Sequence, residues 1–163
     1  MFRLKFIALA LFGLLAIGCS SLTAPPTDKS MEEKFRANEV DFKKIVTMYR
    51  EDKLSRLSPD AAYTEPNGEL KPAVKVELPA PRMEEYRRLL RQIGSDGMDN
   101  MNQAIILYVF TGKEGWFSSD YREKSYVYSE TPLEPIVDSL DQDKTKQIGY
   151  KKITDIWYLR FVD

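Results

Sequence analysis

The hydrophobic positions change period along the chain. Phe35, Phe42, Ile45, Val46 and Tyr49 recur at helical spacing, with Lys43, Lys44, Arg50, Glu51 and Lys53 mostly on the opposite side. This predicts an amphipathic helix from about Met31 to Leu57, opened by a Ser30–Glu33 capping box and closed before Pro59. Met83, Tyr86, Leu89, Leu90 and Ile93 make a second stripe, predicting a helix over Pro81–Ile93 with Gly94 as its left-handed stop. Between them, Glu65-Pro66-Asn67-Gly68 is a turn signal. Lys71–Leu78 alternates weakly, and Pro72 and Pro79 assign it to a sheet edge.

Beyond Gly94 the pattern becomes β-like. Ala104–Phe110 is a β-rich apolar run that fits a buried central strand, followed by a turn over Gly112–Gly115. Lys124–Ser129 alternates, with Tyr126 and Tyr128 on one face and Val127 on the other. Leu133, Ile136, Val137 and Leu140 read as a short helical turn lying on the sheet. Ile148–Ile153 and Ile156–Val162 read as a hairpin across Thr154-Asp155. The expected class is α+β, with two N-terminal helices on one face of a four- or five-stranded, mostly antiparallel sheet.

The N-terminus carries a different signal. Arg3 and Lys5 precede the apolar stretch Phe6–Ile17, and Ala16-Ile17-Gly18 leads into Cys19, the only cysteine. A cationic start, a short apolar core and small residues before a cut site mark a secretory signal peptide over 1–18. Ala16-Ile17-Gly18-Cys19 resembles the lipobox of bacterial lipoproteins. That resemblance implies cleavage before Cys19, acylation of its thiol and amine, and a membrane anchor. Gly18 fits the motif, while Ala16 stands where the family favours Leu. Ser20 follows in place of an inner-membrane retention Asp, which implies an outer-membrane protein facing the periplasm. Acylation also removes an otherwise odd thiol. Residues 19–30, with Pro25-Pro26, then read as lipidated cysteine and tether, and 31–163 as a single α+β domain. The stretch Lys124–Pro135, with Trp157-Tyr158-Leu159, resembles uncharacterised bacterial envelope proteins and implies no activity.

Composition narrows the chemistry. The 163 residues include 24 basic and 25 acidic side chains, so no single-sign field recruits nucleic acid. There is no histidine, which removes Ser-His-Asp and Cys-His catalysis and the commonest zinc ligand sets. Asp138, Asp141 and Asp143 fail the calcium-loop spacing, because the central glycine is missing and Lys152 stands where Glu would close the site. Asp96-Gly97-Met98-Asp99 is a second acidic loop of the same kind. Both read as solvated loops, and no metal or cofactor is expected.

Two chemistries remain. Glu114, Asp120, Glu123 and Glu130 are the carboxylates a glycan hydrolase would draw on. Aromatics crowd the sheet half: Trp116, Phe117, Tyr121, Tyr126, Tyr128, Trp157 and Tyr158. Adjacent strand residues point opposite ways, so Trp157 and Tyr158 cannot both be core beneath a sheet covered on one side only. Trp116, Phe117, Trp157 and Tyr158 are therefore the candidate partner-binding residues. The leading expectation is a non-catalytic, lipid-anchored envelope protein that binds another envelope protein. Its alternatives are a peptidoglycan- or glycan-binding module using the same aromatics, and a carboxylate-only hydrolase.

Overall fold

The computed structural model describes residues 25–64, 73–101, 103–113, 121–141 and 148–163. They form an α+β fold of three helices and one eight-stranded antiparallel sheet. In chain order the elements are α1 Asp28–Ala37, α2 Glu39–Glu51, β1 Arg56–Ser58, β2 Ala61–Thr64, β3 Val74–Val76, α3 Ala80–Ile93, β4 Gly97–Met101, β5 Ala104–Lys113, β6 Tyr121–Tyr128, β7 Gly149–Lys152 and β8 Trp157–Val162. The strands lie in the order β3-β2-β1-β4-β5-β6-β8-β7.

The expected helix over 31–57 is corrected at both ends and in its middle. Thr27, not Ser30, is the N-cap: its side chain accepts from the Ser30 amide at 3.2 Å, and α1 takes in Asp28 and Lys29 from the expected tether. Asn38 then divides α1 from α2. Its amide donates to the Phe35 carbonyl, its side-chain Nδ2 donates to the Lys34 carbonyl at 2.8 Å, and its own carbonyl receives the Phe42 amide. Asparagine competes for backbone groups in this way and so bends the chain while both helices keep their apolar faces aligned. At the far end α2 stops at Glu51, and Arg56–Ser58 is a strand paired with β2.

One row of side chains crosses all eight strands on the helix-covered face: Val76, Ala62, Leu57, Met98, Leu107, Tyr126, Leu159 and Lys151. Against it the three helices bury Met31, Phe35, Phe42, Ile45, Tyr49, Tyr86, Leu89 and Ile93. Phe42 is fully buried, with ring centroids of Phe35, Tyr126 and Trp157 at 5.0, 4.6 and 5.4 Å. The Tyr126 hydroxyl donates to the Met31 carbonyl at 2.8 Å, tying α1 to β6.

The second face is covered too. Ala104, Ile106, Val127 and Tyr158 are buried there, with Tyr108, Leu133 and Tyr150 packed on them. The chain leaving β6 supplies the cover. Leu133 lies on this face, Val137 donates to the Tyr150 carbonyl at the β7 edge, and Leu140 reaches the helix-side core. The short helical turn expected over 133–140 is thus an irregular strap around the β7 edge. It satisfies backbone groups that an open edge would leave exposed.

The sheet has more strands than expected: β2 has no counterpart in the expectation, and β4 runs through Gly97–Asp99, which was expected as a solvated loop but pairs with β1 and β5. Pro81–Ile93 corresponds to α3, with Gly94 left-handed at φ 73°. The predicted edge is β3, the predicted central strand lies within β5, and the C-terminal hairpin is β7–β8. The Glu65–Gly68 turn lies outside the described residues.

Truncating Phe42 to Ala removes the ring shared by both helices and the sheet, and is expected to cost about 3–5 kcal/mol in urea unfolding. Gly97 has a different constraint: a Cβ there would stand 2.7 Å from the Leu57 carbonyl oxygen on the paired strand. Gly97→Ala should lower stability by about 1–3 kcal/mol through backbone displacement, read as a lower urea midpoint at unchanged slope.

Candidate functional site

The two described residues expected to offer an aromatic platform do not do so. Trp157 is 1% exposed in the main core and Tyr158 is 3% exposed beneath the strap. The expectation that one of them faces solvent assumed one covered face, and both faces are covered. Trp116, Phe117 and the acylation candidate Cys19 lie outside the described residues, as do Glu114, Asp120 and Asp143.

The carboxylates noted in the sequence are separated by the fold. Glu123 is buried on the strap side of β6, where its Oε1 accepts from Arg160 Nη1 at 2.7 Å and Ser125 Oγ at 2.9 Å. Asp99 pairs with Arg56 across β4 and β1. Asp141 belongs to a buried ionic knot. The Lys124 ammonium, 1% exposed, lies 2.7 Å from Asp28 Oδ1 and 2.6 Å from Asp141 Oδ1. The Asp28 amide donates to both Asp141 oxygens, and Asp28 Oδ2 accepts from the Leu140 amide at 2.8 Å. Lys151 extends the knot to Glu32 at 2.7 Å. Among the described residues no group of three carboxylates converges as a metal site.

A cleft of about 510 Å³ opens at the other end of β6. The C-terminus of α2 supplies Tyr49, Arg50, Lys53 and Leu54. The end of β4 and the turn into β5 supply Asn100, Gln103 and Ile105, and the exit of β6 supplies Tyr128, Glu130 and Thr131. Tyr49, Leu54 and Ile105 are buried and form an apolar floor. The polar groups lie above it.

One wall is a fixed triad. Arg50 Nη1 donates to Glu130 at 2.7 Å and to the Tyr128 hydroxyl at 3.3 Å, and that hydroxyl donates to the same Glu130 oxygen at 2.7 Å. The Arg50 guanidinium lies over the Tyr128 ring, 5.8 Å from its centroid. The Tyr128 hydroxyl and then Arg50 hold the Glu130 carboxyl below the usual carboxylate range, so Glu130 is an anion at neutral pH. Burial, then Glu130, push the Tyr128 hydroxyl up, and it stays protonated.

Two left-handed backbone conformations also border the cleft. Lys53 has φ 52° and Gln103 has φ 70°, the left-handed region that favours glycine. Lys53 follows the C-cap Asp52 of α2; its amide donates to Arg50 and the Leu54 amide to Tyr49, a helix stop usually made with glycine. Gln103 is the second residue of a two-residue hairpin loop closed by the Met101–Ala104 pair, where glycine is again preferred. A side chain in this conformation costs about 1 kcal/mol at each position. The Lys53 turn is held from beneath by Arg82, whose Nε donates to Asp52 at 2.8 Å and whose Nη2 reaches Glu51 and the Met48 carbonyl. The Tyr86 hydroxyl donates to Asp52 at 2.7 Å.

Of the cleft residues, the sequence singles out Tyr49, Ile105, Tyr128 and Glu130 for other reasons and places Arg50 and Lys53 opposite the apolar stripe of the first helix. Because the helix was expected to run to Leu57, the sequence carries no sign of a stop at Lys53. No protein-family model, curated protein or solved structure matches the chain.

The ionic knot gives a test that is independent of the cleft. Burial pushes the Asp28 carboxyl up, but Lys124, the Leu140 amide and Lys151 outweigh it and hold it below the ordinary value of 3.8. A lowered folded value means that Asp28 stabilises the fold fully above about pH 4, and that this contribution is lost as pH falls through the depressed value. Asp28→Asn, which leaves Lys124 with Asp141 alone, is expected to cost about 2–4 kcal/mol at pH 7. The difference from wild type should shrink when unfolding is measured below pH 3.

Proposed function

We propose that the chain is a lipid-anchored envelope protein, acylated at Cys19 and facing the periplasm from the outer membrane. In this reading its domain binds another envelope protein through the Arg50–Lys53–Gln103–Glu130 cleft and catalyses no reaction. The observation that carries the binding reading is the cleft: an apolar floor with cationic, anionic and amide groups around it is a common form of recognition site. The lipobox-like Ala16–Cys19 segment carries the anchor.

The relative placement of tether and cleft agrees with that role. The chain enters the domain beside the Arg122 end of β6, where Pro25 and Thr27 border a cavity of about 230 Å³ with Arg122, Lys124, Phe161 and Asp163. The cleft lies at the Tyr128 end. Tyr128 is six residue steps along the strand from Arg122, about 20 Å. A domain held at the first end presents the cleft away from the lipid. Residues 20–27 reach at most about 28 Å when extended, so the cleft would stand within a few nanometres of the membrane.

A photoreactive residue at Thr131, on the cleft rim, is expected to cross-link the protein in whole cells to a reproducible envelope protein. The same probe at Lys75 on β3 should not. Mass spectrometry of the purified protein should show acylated Cys19, and Cys19→Ser should lower the cross-link yield. Unmodified Cys19, or equal cross-linking from both positions, would refute the proposal.

A further inference from the structure

Lys53 and Gln103 are the only non-glycine residues with positive φ among the described residues, and both border the cleft. They belong to unrelated turns, one ending a helix and the other closing a hairpin. Local geometry accounts for the backbone in each case but favours glycine, and the chain does use glycine at the corresponding stop of α3, Gly94 at φ 73°. Two side chains kept against backbone preference at one cleft indicate that the side chains are used there.

The chemistry around them narrows the ligand. Lys53 has no carboxylate partner among the described residues. Arg50 engages Glu130 and Tyr128 through Nη1, which leaves its Nε–Nη2 edge open for a bidentate carboxylate. The cleft therefore holds two cations against the single anion Glu130. Asn100 and Gln103 each offer a donor and an acceptor, the complement of a peptide group. A sugar would look for an aromatic face, but the Tyr128 ring lies beneath the Arg50 guanidinium and Tyr49 is buried in the floor.

Resting on the proposed binding role, we infer that the cleft recognises an acidic peptide segment of its partner. Arg50 and Lys53 take a Glu or Asp carboxylate, Gln103 and Asn100 bond the adjoining peptide groups, and an aliphatic side chain lies on Leu54 and Ile105. Lys53 and Gln103 are specificity-determining residues held at a cost to folding.

Opposite movements of stability and affinity test this. The probe is a set of fluorescein-labelled, C-terminally amidated hexapeptides carrying one Glu, each matched by its Gln counterpart, read by fluorescence anisotropy at low salt. Some Glu peptides should bind with Kd below about 1 mM and at least tenfold more tightly than their Gln partners. Lys53→Gly and Gln103→Gly should each raise the melting temperature by about 3 °C while weakening peptide binding tenfold or more. Lys53→Met keeps the strained turn and removes the charge, so it should leave the melting temperature within a degree and still lose the Glu preference. Glycine variants that gain stability and bind unchanged would overturn the inference. So would equal binding of Glu and Gln peptides, absence of binding by every hexapeptide, or binding only of purified peptidoglycan fragments. A whole-cell cross-link from Thr131 that survives Lys53→Met would leave the partner-binding role standing and remove the acidic-segment assignment.

Discussion

One buried ammonium group ties the first helix, the sheet and the cover of its second face together. Lys124 is almost wholly withdrawn from water and meets Asp28 and Asp141 at 2.7 and 2.6 Å. Such a pair gains little net stability over a well-packed apolar replacement, because desolvation offsets most of the attraction. Its consequence is placement. Asp28 is the first residue of α1, Lys124 lies on β6, and Asp141 ends the strap that crosses the β7 edge. Removing Lys124 would leave the Asp28 carboxylate buried with only the more distant Lys151, so the start of the helical layer, the sheet and the edge cover meet at one ammonium group. Pro25 and Thr27 lie at the Arg122 end of β6, and the cleft lies at the Tyr128 end.

The strap explains why adjacent aromatics fail as a platform. The alternation that separates Trp157 from Tyr158 is present, and they do point to opposite faces. The inference from alternation to exposure fails at the next step, because the chain after β6 covers the second face. Its apolar residues sit at irregular spacing: Leu133 on one face, Val137 at the edge and Leu140 on the other. Segments without periodicity cannot be placed from periodicity, and 133–140 is an irregular strap where a helical turn is expected from its apolar residues.

The same reasoning marks what was legible. α3, β5, β6 and the β7–β8 hairpin are either long enough for their period to show or end in an explicit stop such as Gly94. The three-residue β1 is too short to display alternation, and its Leu57 continues the helical stripe before it by coincidence of phase. The break at Asn38 depends on one side chain choosing the Lys34 carbonyl, a choice that the apolar stripe on either side conceals. The cleft was less legible still. Its walls come from three segments that only the sheet order brings together, and no pair of its residues forms a sequence motif.

Backbone conformation supplies what motif and period do not. Two helices in this chain end through a left-handed residue, Gly94 at the cap of α3 and Lys53 just past the cap of α2. At the Gly94 stop a side chain would meet the Lys34 side chain at 3.6 Å, and glycine takes the left-handed turn without strain. The Lys53 stop is braced by Arg82 and Tyr86 through Asp52. That bracing keeps the turn in place against the preference of its own residue. A fold that only had to end a helix there would gain by using glycine and would not need the brace. The brace and the lysine together are the physical sign that this turn presents a side chain, and the cleft is where it is presented.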